Sequence, residues 1–412
     1  MAFWGFGRKE EKRSSLENPR VPISSNSILE LFDVSKSSAG VAVTVETALG
    51  VPAVWAAVNF ISGTLAGLPL HVYSKTKQGR EKLTGGLQNV LHDAVNDGMS
   101  SFEWRKSLFE QALTKGRGLS YIERNVGGKV VNLWPINPDN VTVERRGFEK
   151  FYIVDDGTGK SKTYAASEII DIPFMLQSDG LGVYSPIKKC ADAIGLAIAA
   201  TNYGARFLAN GGVPPFAIVG NFQSGGALKT AQTEFDAAVK KAAKENKQAL
   251  VLPFNMDIKS IGGDPDKSQL VELQRFSVEQ IARIYSIPPT FLQDLTHGTM
   301  SNTEQQDLHF VKHTMKRWIE QFEQELNLKL FGRANNRQYV ELNLDGLLRG
   351  DFATRMEGYS KGIQNAILTP AEIREKENMP MIEGSDQLLI QGATVPLGSQ
   401  PQMQQPIGVQ NG

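Results

Sequence analysis

With 412 residues, 41% of them hydrophobic and 21% charged, the chain is long enough for two or three domains around well-buried cores. Lys plus Arg and Asp plus Glu number 44 each, which argues against a protein that grips nucleic acid or an anionic membrane broadly, because basic side chains provide most non-specific phosphate affinity. The single cysteine, Cys190, excludes an intrachain disulfide framework or a multi-cysteine zinc site, and the most apolar run, 194–200, is far short of the ~20 residues of a membrane span.

Residues 1–45 mix Ser, Asn and Pro with charge and are expected to form a disordered arm without the apolar core of a secretory signal. Pro52 opens a helical pattern through Val54, Val58, Ile61 and Leu65, followed by a strand at Leu70–Tyr73. Helices are predicted at Leu87–Val95 and Phe102–Thr114, the second with Ser100 or Ser101 as N-cap and Glu103 in its first turn. Strands at Ser120–Asn125 and Lys129–Pro135 flank Val126-Gly127-Gly128, a hairpin signal. Val141–Arg145, Phe151–Val154 and Ile169–Pro173 extend this β-rich block, with the turn Asp155-Asp156-Gly157 between the last two.

Ser185-Pro186 then starts a helix running to about Leu208, with Ile187, Ala191, Ile194, Ile198, Ala205 and Leu208 along one seam and mostly Ala and Gly elsewhere. Such a helix can be approached closely from several sides, which suits packing among copies of itself. An insert follows, with strands at Phe216–Val219, Ala249–Leu252 and around Ile258 and a charged helix over Ala227–Lys244. A partner helix at Gln269–Tyr285 completes a pillar and is broken by Ile287-Pro288-Pro289. Beyond a polar segment at 293–302, an amphipathic helix over Thr303–Phe331 would be about 43 Å long. Residues 349–380 are helical again, Thr369-Pro370 with Glu372 marking a start, and the tail is Gln/Pro/Gly-rich.

No constellation of catalytic residues outweighs its plainer reading. His309 and His313 have zinc-ligand spacing, but Phe310 stands where a zincin carries Glu, and only Glu304 and Asp307 lie near as further ligands. Gly180-Leu181-Gly182 lacks the third glycine of a dinucleotide fingerprint, and neither a Walker A loop nor a Gly-x-Ser-x-Gly elbow occurs. The lysines Lys229, Lys240, Lys241 and Lys244 form either a solvated face or a docking surface at the end of the pillar.

Several segments together resemble the portal proteins of tailed double-stranded DNA phages, in the family that accompanies the Hong Kong 97 capsid lineage. They are 118–121, 128–141 (Gly128 to Val141), 182–187, 206–214, 280–289, 301–305 and 368–374, in this order across roughly residues 50–390. Two departures stand out: Asp171, where relatives often carry His, and Lys316-Arg317, near which relatives often have Pro. The second predicts a straighter long helix.

The resemblance implies an α+β portal fold assembled as a dodecameric ring at one capsid vertex, without cofactor, metal or enzymatic activity. It implies a wing at 46–185 and 303–348, stem helices at 186–209 and 263–292, and a clip at 210–262. A tunnel loop at 293–302, a crown at 349–395 and a disordered tail at 396–412 complete the division. Thr296, His297, Gly298, Thr299, Met300, Ser301 and Asn302 would meet DNA in the channel; Lys188, Lys189 and Arg206 are candidate channel cations. Ile187, Ala191, Ile194, Ile198 and Leu208 would pack the stem, and a charge at Ile194 or Ile198 is expected to abolish the ring while sparing the wing. Partners implied are double-stranded DNA, the terminase large subunit, a head–tail connector and the major capsid protein, in the virion and, during assembly, the host cytoplasm. The alternatives are a metal-dependent hydrolase built on His309 and His313, and a monomeric head–tail adaptor module.

Overall fold

In the computed structural model, residues 35–389 are described except 78, 210–215, 221–223, 245–255, 261–266, 293–305, 307, 335–336, 345–351 and 378. They form two compact units that divide between Asn343 and Leu344. The first part of the first unit comprises β1 (Ser35–Lys36), β2 (Ala42–Val43), α1 (Val45–Leu49), α2 (Pro52–Gly67), β3 (Leu70–Thr76), β4 (Gly79–Lys82), α3 (Leu87–His92), β5 (Ala94–Asn96), β6 (Met99–Ser100) and α4 (Ser101–Lys115). The β-rich block follows as β7 (Arg117–Arg124), β8 (Val130–Ile136), β9 (Val141–Arg146), β10 (Glu149–Asp155), β11 (Ser161–Ala165) and β12 (Ile169–Pro173). Then come α5 (Pro186–Lys189), α6 (Ala191–Ala209), β13 (Phe216–Gly220), α7 (Gly225–Lys244), β14 (Met256–Ser260), α8 (Lys267–Tyr285), a π-helical segment Phe310–Met315, α9 (Lys316–Phe331) and β15 (Gln338–Leu342). The second unit contains α10 (Phe352–Gln364) and α11 (Pro370–Lys376).

The α+β class holds, and so do most of the long elements. Ser100 caps α4 through a capping box, its hydroxyl accepting from the Glu103 amide at 3.2 Å while the Glu103 carboxylate accepts the Ser100 amide at 3.0 Å. Gly116 ends the helix at φ 91°, and its carbonyl accepts the amide of Phe174. Three three-stranded antiparallel sheets run β12-β7-β8, β11-β10-β9 and β15-β3-β4. Trp104 and Phe109 on α4 meet Trp318 and Phe322 on α9, with Phe109 and Phe322 ring centroids 5.2 Å apart, so the core lies where the long helix crosses α4. The buried Trp104 indole donates to Ser120 of β7 at 2.9 Å, and that hydroxyl donates to the Trp134 carbonyl of β8.

Five expectations change. Residues 35–45 are ordered rather than part of a disordered arm: β1 and β2 pair, and Val43 is completely buried. The helix expected at Leu87–Val95 stops at His92, because Val95 and Asn96 turn into β5 and the Asn96 amide reaches the Leu133 carbonyl. The Asp155–Gly157 turn leads into β11, a strand that its short, polar sequence does not announce. The helix expected from Pro186 breaks at Cys190, which lies at φ −108°, ψ 28°. Finally, the long helix is not regular: residues 310–315 form a π-helical segment, a widening of the ladder that bends helices without proline. The strand expected at Ala249–Leu252, residues 1–34 and the tail lie outside the described residues.

Candidate functional site: the paired helices and the loop root

Helices α6 and α8 pack against each other in opposite directions. A Cβ on Gly204 would stand 3.6 Å from Leu270 Cδ2, and Cys190 neighbours Tyr285, so the two contacts share one antiparallel register. Helix α5 and the first half of α6 are embedded in their own chain. Ile187 and Ile194 are fully buried, Ala191 nearly so, and Gly195 lets the Ser37 side chain press onto the helix. Ser38 donates from its amide and hydroxyl to the Asp192 carboxylate at 2.6 and 2.9 Å, holding that carboxyl below its ordinary range. Ile198 is half-buried, and from Thr201 onward the pair protrudes: Tyr203 is 39%, Leu208 74%, Val271 47% and Phe276 46% exposed.

This corrects the expectation for Ile194. A charge there would enter the chain's own core and disturb the fold, not only contacts between copies.

Where the pair meets the body, Ser286 takes φ 54°, a left-handed conformation rare outside glycine, and its carbonyl accepts from the buried Thr314 hydroxyl. The buried Tyr285 hydroxyl has no hydrogen-bond partner among the described residues, and burial pushes it well above the usual phenol range. Next, the described residues on either side of 293–305 meet one another. The Thr290 hydroxyl donates to Gln306 Oε1 at 2.7 Å, and Phe291, Phe310 and Phe60 of α2 form a cluster of tilted rings with centroids 4.9–5.2 Å apart. A cavity of about 570 Å³ lies beside this root, lined by Ile287, Pro288 and Thr290 and by His309 and His313.

A family profile described as "Phage portal protein" matches residues 52–378. The chain is 31% identical over 363 residues to the "Probable portal protein" of Streptomyces phage phiC31, covering 84% of this chain and 79% of that one. The chain belongs to the phage portal protein family.

A second portal relative, from Enterobacteria phage HK97, is 27% identical over 361 residues, covering 85% of this chain and 84% of that one. Solved structures share the fold: an HK97-family portal protein from Corynebacterium diphtheriae has TM-score 0.54 at 15% identity, covering 76% of this chain and 97% of that one. A chain of the neck of a native gene transfer agent particle, computed with C12 symmetry, has TM-score 0.52 at 18% identity, covering 80% and 91%. As a portal protein the chain is a structural virion component, not an enzyme, which removes the hydrolase and monomeric-adaptor alternatives. His309 and His313 stand exposed with ring centroids 4.3 Å apart, and among the described residues no third His, Cys, Asp or Glu joins them as a metal site.

The other expected portal residues are scattered. Lys188 and Lys189 are exposed at the base of the pair, the Lys189 ammonium 5.1 Å over the Tyr184 ring, whereas Arg206 is exposed roughly 25 Å further along the axis at ~1.5 Å per residue. Lys229 is exposed on α7; the side chains of Lys240, Lys241 and Lys244, and the loop residues Thr296 to Asn302, lie outside what is described. In the insert, β13 and β14 pair antiparallel from Phe216↔Ser260 to Gly220↔Met256.

Asp171 acquires a role that its sequence position did not reveal. It is 6% exposed and faces Lys150 Nζ at 2.6 Å, the Tyr152 hydroxyl at 2.6 Å and Arg117 Nε at 3.0 Å, the last an ionic contact without a directed N–H···O bond. Its amide donates to Glu325 Oε1 on α9 at 2.9 Å, and burial raises the Glu325 carboxyl. One residue thereby joins β7, β10, β12 and the long helix.

Proposed function

We propose that twelve copies of this chain form a ring that conducts double-stranded DNA through one capsid vertex during packaging and ejection. In this ring α6 and α8 are the stem, at 186–209 and 263–292. Residues 210–262 are the clip, 293–302 the tunnel loop, 46–185 with 303–348 the wing, and 349–395 the crown. The observation that carries the reading is the protruding half of the helix pair, where Leu208, Val271, Phe276 and Tyr203 face outward. Exposed apolar residues clustered on a helix pair mark a surface that another chain covers, each covered side chain contributing ~1.5–3 kcal/mol. The C12 symmetry of the gene transfer agent neck supports twelve copies, and the separation of residues 344–412 as a compact unit supports a distinct crown.

The equality of basic and acidic residues suits a conduit, since a basic bore would retain the DNA that must slide through it. Thr296 to Asn302 offer hydroxyls, an amide and His297, able to touch phosphate and release it. The clip, with Lys229, Lys240, Lys241 and Lys244, docks the terminase large subunit and then the head–tail connector, and the wing meets the major capsid protein.

The test is a chain carrying Leu208→Glu and Phe276→Glu. Both positions are exposed, so the monomer melts within about 1 kcal/mol of the parent stability, while sedimentation and end-on micrographs show loss of rings. Intact twelvefold rings from this variant would remove the stem from the interface between copies.

A further inference from the structure

Strands β10 and β12 and the long helix line an open cavity of about 790 Å³, within the volume range of small-ligand sites. Its lining includes Lys150, Tyr152 and Asp171 of the strands and Lys312, His313, Lys316 and Arg317 on successive turns of the helix. The carboxylates of the lining are already engaged. Asp171 holds Lys150, Tyr152 and Arg117, while Glu325 accepts the Asp171 amide and faces Lys329 at 3.5 Å. Glu320 faces Lys316 across 3.6 Å, with both side chains more than half exposed, a pairing worth little in water.

Two cations remain over. Arg317 lies with its guanidinium 4.8 Å from the Trp318 ring centroid and 5.3 Å from that of Phe174, and among the described residues no carboxylate pairs with it or with Lys312. These cation–π contacts restrain the guanidinium, so less of its freedom is lost when a partner arrives. A planar fork beside ammonium point charges matches a tetrahedral anion with several acceptor oxygens better than it matches a single carbonyl or hydroxyl.

We propose that this cavity is a phosphate-binding site, with Arg317 and Lys312 as the cations that hold the anion. Lys316 is the third member, exchanging its loose pairing with Glu320 for the ligand. The phosphate comes either from a free phosphate or polyphosphate ion or from the backbone of DNA; the site chemistry is the same for both. This inference stands on the cavity alone and survives or fails independently of the ring.

Calorimetric titration of the full chain at low salt with inorganic phosphate and with tripolyphosphate tests it. One saturable site per chain is expected, with Trp318 fluorescence changing in parallel. The double variant Arg317→Met, Lys312→Gln weakens binding by roughly tenfold or more, while its melting without ligand stays close to the parent because both side chains are exposed. Lys77→Gln, exposed in the turn between β3 and β4 and absent from the cavity lining, retains full affinity. Absence of saturable binding at millimolar phosphate, equal binding by the double variant, or an equal loss in Lys77→Gln overturns the proposal. A short DNA duplex added to the phosphate-loaded protein separates the sources: displacement assigns the DNA backbone, and retention assigns the free ion.

Discussion

Gly118 and Arg105 show how closely single side chains are constrained where α4 meets its neighbours. A Cβ on Gly118 would overlap the Leu108 carbonyl, so only glycine lets β7 run against α4. The Arg105 guanidinium is buried and donates to the main-chain carbonyls of Ser101 and Leu68, closing the C-terminal end of α2, and burial lowers its pKa to about 10. His71 gives a measurable consequence. Its ring is 8% exposed, stacks on His92 at 5.0 Å, and lies 3.5 Å from Lys82 Nζ and 3.3 Å from Gln88 Nε2. Burial first, then the positive charges of Lys82, His92 and Arg105, lower its pKa from 6.5 to about 4. The fold therefore prefers neutral His71: its contribution is complete above pH 6.5 and is lost as pH falls towards 4, where the unfolded chain takes up a proton that the native chain refuses. Stability should drop by on the order of 1–2 kcal/mol from pH 7 to 4.5, less than the full linkage value because solvent screens the ring. Thermal unfolding across that range checks it; His71→Gln should flatten the profile, and an unchanged slope would contradict the assignment.

Among the elements, the π-helical segment 310–315 and the end of α8 form a joint. Ser286 at φ 54°, the Thr314 hydroxyl on its carbonyl, and the break at Cys190 lie at one level of the antiparallel pair. The protruding pair beyond this level attaches here, and the Thr314–Ser286 hydrogen bond ties its base to the long helix. Thr314→Val keeps the shape and removes the donor, leaving the Ser286 carbonyl without that partner. The expected cost is about 1–3 kcal/mol by urea denaturation, because Thr314 is buried within the chain. A loss below about 0.5 kcal/mol would show that water replaces the hydroxyl there.

At the scale of the whole molecule, the boundary after Asn343 follows from where the first unit stops closing its sheet. β15 pairs with β3 from Gln338↔Ser74 to Leu342↔Leu70, and the Asn343 amide donates to the Pro69 carbonyl. A chain ending at Asn343 should keep a cooperative unfolding transition, whereas one ending at Gly332 loses an interior partner of β3 and unfolds readily, as circular dichroism on heating would reveal. Equal stability of the two truncations would mean that β15 is not part of the core.

Local signals were sufficient for elements whose cause is local. The capping boxes at Ser100–Glu103 and Thr369–Glu372, the Pro52 start and the Val126-Gly127-Gly128 turn all act within a few residues, so they could be read from order alone. The resemblance carried by scattered short segments likewise reached the family. What sequence order left open depends on partners far along the chain. Val43 and Ser37 make residues 35–45 ordered only because Gly195 of α6 comes to meet them, and Asp171 finds Arg117, Lys150 and Glu325 across four elements. The Phe60, Phe291 and Phe310 cluster at the loop root is spread over 250 residues of sequence. The small-residue pattern of α6 fixed that it would be closely packed. Only the tertiary fold decided by what: its own chain up to Ala200, and solvent beyond, because burial is set by the surfaces that arrive and not by the helix that receives them.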